Sequence, residues 1–334
     1  MISYHQMLCI LQSHRVSSFT EACVDLGIFD HLAAGPLPVS ELAKLTGTHQ
    51  RALHRCLRGL AHFELFTKEQ EPIFSLTDIS RQLTSESEFS IKPWYELHRA
   101  MSSPDPKKQE TFKQLLRTGK SIIQIEHGCL FYDYLREHQE LATVFDKAME
   151  SASQMEVRDI LQGFDFSASE HLTEIAGGNG ALISGVLQKH ENMEGQLFDY
   201  PDVVNRIKPI PRLKTVGVDM HVSLPEMPGD VMMKRILHSY SDDRASNILK
   251  NIGRTMRSGN KLHIFELIDD DTVNNPYIGA KHLQMLYVHG APGESGGPGE
   301  RTQAEFASLL STAGFELVET QRLPSIDVVI AVCK

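Results

Sequence analysis

The chain has 334 residues, 41% of them hydrophobic, which is enough for one large or two medium domains with a real core. A net charge of −10 argues against wholesale affinity for nucleic acid or acidic membranes, and no run of 18 apolar residues marks a transmembrane helix. The N-terminus lacks a secretory leader pattern, and five scattered cysteines (Cys9, Cys23, Cys56, Cys129, Cys333) without a CxxC fit reduced thiols, so a cytoplasmic protein without disulfides or a zinc knot is expected.

Residues 1–100 read as helical and then winged. The stretch QMLCILQSHRVSSFTEACVDLGIFDHL carries apolar residues at helical spacing and ends near Gly35-Pro36. PVSELAKLTG and THQRALHRCLRGLAHFEL predict two short helices joined at Gly47, and FTKEQEPIFSLTD predicts a β-hairpin wing. Helix-turn-helix plus wing is a DNA-binding shape, and Arg51, Arg55 and Arg58 recur at helical spacing. Against that reading, these residues hold 9 Lys+Arg and 11 Asp+Glu, so no basic footprint exists. A winged fold is as readily a dimerisation module. The apolar N-terminal helices call for a partner, and a homodimer is expected.

Residues 101–160 predict a helical connector after the polar linker SSPDPKKQ. Its aromatic and methionine positions are mostly core. Some of Phe131, Tyr134, Phe145 and Met149 are candidates to line an apolar pocket for a planar ligand.

From 161 to 334 apolar strands alternate with amphipathic helices, the pattern of a mostly parallel α/β sheet. Strands are predicted at 171–175, 196–199, 213–217, 229–233 and 261–266, with two more in the terminal GFELVETQRLPSIDVVIAVCK. The segment HLTEIAGGNG ends a strand in Glu174 and turns through Gly177, Gly178 and Gly180 into a helix. Glycines let backbone approach a ligand, and the helix presents unpaired N–H groups. A plain structural turn is the alternative. About twenty residues on, QLFDYPDVV ends a second strand in Asp199, where nucleotide folds hold ribose hydroxyls. Glu174, Asp199, Asp219, Lys234 and Glu266 all fall at strand ends, the ligand edge of such sheets. The segment 290–300, GAPGESGGPGE, reads as a mobile loop.

In this order the pieces resemble the class I S-adenosylmethionine-dependent O-methyltransferases of the caffeate and hydroxyindole type, with their polyketide-tailoring relatives. EIAGGNG resembles DVGGGTG, FDYPDVV resembles FDLPxVV, and VGVDM resembles GGDMF. MMKRILHSYSDD is similar to xMKWxLHDWSDE, GNKLHIFE to GKxxxxE, and GERTQAEFASLLSTAGF to GKERTxxEFxxLxxxAGF. The resemblance implies a Rossmann-like methyltransferase sheet of seven strands, mostly parallel, behind an N-terminal winged-helix dimerisation domain. It implies S-adenosyl-L-methionine as cofactor. Glu174 and Gly178 would lie near its methionine part, Asp199 on the ribose, Asp219 and Met220 about the adenine with Lys234 nearby, and Tyr240 as a stacking face. His238 would be the general base, braced by Glu266 and Glu300.

Four departures bear on the chemistry. Ala176 replaces the first glycine of the turn, which is tolerated if its φ is negative. Ser239 replaces the aspartate that follows the base. Tyr240 replaces a tryptophan. His282, in HLQML, stands where the family has an acid and would face the acceptor pocket. The acids of ELIDDD (266–271) could suit magnesium, but consecutive loop acids are usually solvated, and a metal-independent enzyme is expected. The expected activity is O-methylation of a small planar or aromatic secondary metabolite. A cofactor-retaining relative running a pericyclic or hydroxylating reaction, and a ligand-sensing DNA-binding regulator, stand as alternatives.

Overall fold

The computed structural model describes residues 4–68, 72–87, 90, 92, 95, 106–270, 274–291 and 299–334. The chain forms two compact units, one of residues 1–139 with 270–299, the other of 140–269 with 300–334. No helix among the described residues is long and apolar enough to cross a membrane. Trp94, residues 102–105 of the linker SSPDPKKQ and most of the expected mobile loop at 290–300 lie outside the described residues.

The first unit is built on helices α1 (Tyr4–Asp25), α2 (Ile28–Leu32), α3 (Val39–Thr46) and α4 (Gln50–Ala61). Strands β1 (Leu37–Pro38), β2 (Phe66–Lys68) and β3 (Ile73–Leu76) pair antiparallel in the order β1-β3-β2, which makes the expected wing. Helices α5 (Pro106–Thr118), α6 (Ile122–His127) and α7 (Phe131–Glu137) follow. Ser121 and Gln124 close a reciprocal capping box at the start of α6, satisfying two otherwise orphaned donors.

The unit also takes in a late helix, Pro276–His289. Its Leu283 and Leu286 are fully buried with Phe19, Leu53 and Leu57. Gly59 and Gly279 let this helix meet α4 at backbone distance, since a Cβ on Gly279 would stand 2.6 Å from the Gly59 carbonyl oxygen. This contact draws 270–299 away from the α/β portion expected to run unbroken from 161 to 334. The expected connector is also shared, α5–α7 going to the first unit and the next helix, α8 (Gln139–Gly163), almost wholly to the second.

Arg55 and Arg58 are buried, and Arg55 donates to the Gly290 carbonyl at 3.2 Å. Two of the three arginines that suggested a DNA-reading helix therefore serve the interior of this unit.

The second unit holds a seven-stranded sheet in the order β11-β12-β8-β7-β4-β5-β6. Its strands are β4 (His171–Ile175), β5 (Glu194–Asp199), β6 (Leu213–Gly217), β7 (Asp230–Lys234), β8 (Lys261–Glu266), β11 (Phe315–Arg322) and β12 (Asp327–Cys333). Pairing is parallel from β6 through β8, while β12 is antiparallel to both its neighbours. Helices α9 (Ala181–Lys189), α10 (Pro201–Val204), α11 (Asp242–Gly253) and α13 (Gln303–Thr312) connect them, the late helix of the first unit being α12.

Separate apolar layers bury the sheet. One gathers Val231, Met233, Ile248 and Phe306, the other Ile160, Leu182, Val186 and Phe265. The chain runs from β4 outward to β5 and β6, then returns to β7 on the other side of β4. That reversal opens a crevice at the carboxyl ends of β4 and β7, where ligands of such sheets bind.

Candidate active site

Glu174 ends β4 and is buried, and its carboxylate accepts the Ile183 N–H at 3.2 Å in the first turn of α9. Gly177 must be glycine for this, because a Cβ there would lie 2.7 Å from the Glu174 carboxyl carbon. Burial pushes the Glu174 pKa up to about 8, opposed by the Ile183 hydrogen bond and by Lys234 and reinforced by Asp199.

Asp199 ends β5 and accepts two backbone N–H groups, from Gly178 at 2.8 Å and from Tyr200 at 2.7 Å. The acid at the second strand thus holds the glycine turn of the first. Ala176 has φ +53, so the condition under which alanine replaces glycine without strain is not met. Its N–H donates to the Phe198 carbonyl at 2.7 Å, and this bond sets the left-handed turn out of β4. Alanine bears that conformation at about 1 kcal/mol relative to glycine.

Beyond β6, Asp219 accepts the His221 N–H at 2.9 Å, and Met220 is buried. Two asparagines of α11 fix this loop, Asn251 donating to the Met220 carbonyl and Asn247 to that of His221, each at 2.9 Å. The Tyr240 ring meets the His221 ring edge to face at 4.9 Å. Asp219, Met220 and Tyr240 are thereby gathered, with His221, Asn247 and Asn251 as supports that sequence reasoning missed. Lys234, expected beside the adenine, donates to Glu156 at 2.8 Å and is the cation facing Glu174.

His238 lies just past β7 in the short turn Leu237–Ser239. Its Nδ1 is 3.9 Å from Glu300 Oε1, and its backbone N–H donates to Glu266 Oε1 at 3.2 Å. Both acids therefore reach the base, Glu300 at the ring and Glu266 at the main chain. A two-residue parallel ladder places Glu300 there. Arg301 and Thr302 (β10) pair with Ile268 and Asp269 (β9), laying the residue before β10 beside the end of β8. Thr302 and Glu305 then close a capping box that starts α13. The exposed Ser239 makes no part of this cluster.

Sequence reasoning missed two arginines. Arg235 forks onto Glu300 with two bonds of 3.0 Å and reaches Glu266 at 3.1 Å. Burial opposes its charge, but Glu300, Glu266 and Glu156 push its pKa above the ordinary arginine range. Glu266, raised first by burial and then by Glu300 against the pull of Arg235, stands at about 7. The cluster of His238, Glu266 and Glu300 has the make-up of a cation site, and the Arg235 guanidinium supplies positive charge to both carboxylates. Arg301, also buried, donates to the carbonyls of Leu237 at 2.7 Å and Tyr240 at 2.8 Å, pinning the turn on both sides of His238. Only the position of Arg301 within GERTQAEF could have signalled its importance.

The expected acceptor-pocket residues are distributed. Phe131 meets His289 edge to face at 5.5 Å, and with Leu130, Tyr132, Val288 and His289 lines a cavity of about 180 Å³ in the first unit. Tyr134 instead stacks on His138 at 3.9 Å and lies 4.4 Å from His127. His282 is buried with its ring parallel to His62, centroids 6.0 Å apart. In the second unit Phe145 is half-buried and Met149 is 43% exposed.

Known proteins share this arrangement of sequence. A family model described as the O-methyltransferase domain matches residues 109–316, and one described as the O-methyltransferase dimerisation domain matches residues 8–86. O-methyltransferase SfmM3 of Streptomyces lavendulae is 32% identical over 308 residues, 90% of this chain and 91% of that protein. Phenazine O-methyltransferase PhzM of Lysobacter antibioticus is 30% identical, over 93% of this chain and 90% of that protein. The fold matches an O-methyltransferase family 2 protein from Planctomyces limnophilus DSM 3776, solved in complex with apigenin. The TM-score is 0.75 at 17% identity, covering 99% of this chain and 96% of that one.

Proposed function

Because this chain belongs to the O-methyltransferase family and is an S-adenosylmethionine-dependent O-methyltransferase, we propose that it methylates a phenolic hydroxyl on a small planar metabolite, with His238 as general base. The observation that carries the base assignment is the 3.9 Å approach of Glu300 to the His238 ring at the end of β7. Support for the acceptor class comes from relatives named as phenazine and naphthoate O-methyltransferases and as an O-methyltransferase of mitomycin biosynthesis.

When bound, S-adenosylmethionine supplies an electrophilic methyl on a sulfonium, which leaves as the thioether once the acceptor oxygen takes the methyl. The protein's part is to bind, align and remove one proton. Asp199 is suited to the ribose diol, since the Gly178 and Tyr200 N–H groups hold its carboxylate at the strand tip. Glu174 and Gly178 are suited to the methionine end, where a cationic ammonium would meet a buried carboxyl. Met220 and Tyr240 offer apolar and aromatic faces for the adenine, with Asp219 at its edge.

His238 takes the acceptor's proton as the oxygen attacks, and the resulting imidazolium faces Glu300. An ordinary phenol near ~10 stays protonated at neutral pH, so a positioned imidazole near ~6.5 is a useful acceptor. Aligning acceptor oxygen and methyl contributes up to roughly 7–11 kcal/mol. A homodimer is the assembly supported by the dimerisation domain and by the exposed Met7, Ile10 and Leu11 of α1.

The test is His238→Ala, followed by S-adenosylhomocysteine release with hydroxylated aromatic acceptors. Turnover should fall by roughly 10²–10⁴ while S-adenosylhomocysteine affinity holds. The loss should shrink for more acidic phenols and at higher pH, where the oxygen ionises unaided. Equal turnover of variant and parent from pH 6 to 9 would refute the base assignment and leave methyl transfer intact.

A further inference from the structure

Arg235 belongs to none of the roles assigned so far, yet it makes ionic contacts with three carboxylates, Glu156, Glu266 and Glu300. It is the residue directly after β7, and its N–H donates to the Phe265 carbonyl at 2.9 Å. Its φ is +56, a left-handed conformation that a long side chain adopts at a penalty of about 1–2 kcal/mol. That backbone turn sends the guanidinium back among the strand ends.

There Nη1 and Nη2 take the two oxygens of Glu300 at 3.0 Å each, Nη1 also takes Glu266 Oε2 at 3.1 Å, and Nε lies 3.9 Å from Glu156 Oε1. Glu266 and Glu300 are 1% and 2% exposed. Two carboxylates so close and so dry repel strongly, and without a cation one of them would take up a proton. A planar fork also fixes the rotation of the carboxylate it binds, which a point charge does not.

We propose that Arg235 is the positioning residue of the base: it holds Glu300 in the orientation that meets the His238 ring, and it bridges Glu266 and Glu300 so that their mutual repulsion is eased. The proposal rests on His238 being the base. The charges facing this pair come from every element packed on it. They are Arg235 itself, Glu156 of α8 with Lys234 of β7, Arg301 of β10, and Asp327 of β12 with its partner Arg322. These are four carboxylates (Glu156, Glu266, Glu300 and Asp327) and four cations (Lys234, Arg235, Arg301 and Arg322), and of the cations Arg235 is the one that bonds to both Glu266 and Glu300.

The experiment uses the full chain saturated with S-adenosylhomocysteine. Glutamate δ-carbon NMR follows Glu266 and Glu300, assigned with Glu266→Gln and Glu300→Gln. Arg235→Met should move the carboxylate titrations up by about one pH unit or more, and Arg235→Lys should return them to within about half a unit of the parent. Arg235→Gln carries the same expectation as Arg235→Met should the latter fail to fold.

With a hydroxynaphthoic acid as acceptor probe, Arg235→Met should lower kcat about tenfold or more at unchanged KM for the methyl donor, and the acid limb of its pH profile should move to higher pH. Arg235→Lys should keep the limb of the parent but recover kcat only in part, because it lacks the fork. A purely structural arginine would leave the carboxylate titrations and the limb in place. Titrations of Arg235→Met or Arg235→Gln that overlay the parent's would overturn the proposal. Failure of the base assignment itself shows separately, as full turnover in His238→Ala.

Discussion

Glu174→Gln is a direct test of the electrostatics at the end of β4. The buried Glu174 carboxyl titrates at about 8 in the folded chain, against about 4.3 for an ordinary glutamate. Between those values the folded protein holds a proton that the unfolded chain has released. The stability this contributes is present in full below the unfolded value and is lost as pH rises through the folded one. From pH 6 to pH 8.5 the loss amounts to about 2.5 kcal/mol. Glutamine is close to isosteric, keeps an acceptor for the Ile183 N–H, and does not titrate, so the variant escapes this loss. For a unit of this size the gap in Tm between variant and parent should widen by about 5–10 °C over that range, in favour of the variant. The assay is calorimetric melting of the ligand-free protein at half-unit steps. Effects of glutamine that do not depend on pH, and titrations of other groups such as Glu266, cancel in the difference between the two proteins. A gap that stays constant from pH 6 to 8.5 would show that Glu174 is ionised throughout, and the burial argument would fail.

Further outcomes are expected elsewhere. Asp199→Ala removes the acceptor for the Gly178 and Tyr200 N–H groups along with the ribose ligand, so calorimetry should show S-adenosylhomocysteine binding weakened at least about tenfold. Arg301→Met frees two carbonyls beside His238 and should destabilise the protein by about 2–4 kcal/mol, read by urea melting, with kcat falling more than the affinity for the methyl donor. Gly279→Ala puts a methyl 2.6 Å from the Gly59 carbonyl oxygen and should cost about 1–3 kcal/mol in the first unit, visible as earlier loss of hydrogen-exchange protection in α4.

Local chemistry made much of this molecule legible from sequence. Apolar runs predicted β4 and β8 at their observed bounds, because an inner strand buried on both faces tolerates little else, and the largely exposed edge strand β6 was predicted at its bounds as well. The glycine turn and the acids Glu174 and Asp199 were readable because steric and hydrogen-bonding demands at strand ends admit few residue types. The wing and the terminal antiparallel pair followed from turn residues between apolar segments. What no local pattern carried was the meeting of distant segments. Glu300 reaches His238 only through the two-residue pairing of β9 with β10, too short to leave a periodicity. Arg235 reads in sequence as one more charged residue after a strand. Its φ of +56 and the three carboxylates around it exist only once α8, β7, β8 and β10 converge. The sign of φ at Ala176 was decided by its bond to Phe198 across the sheet, and the passage of 276–289 into the first unit by the close approach of Gly59 and Gly279. Sequence determines which groups a chain offers within a few residues, whereas long-range packing decides which charges must share one dry space.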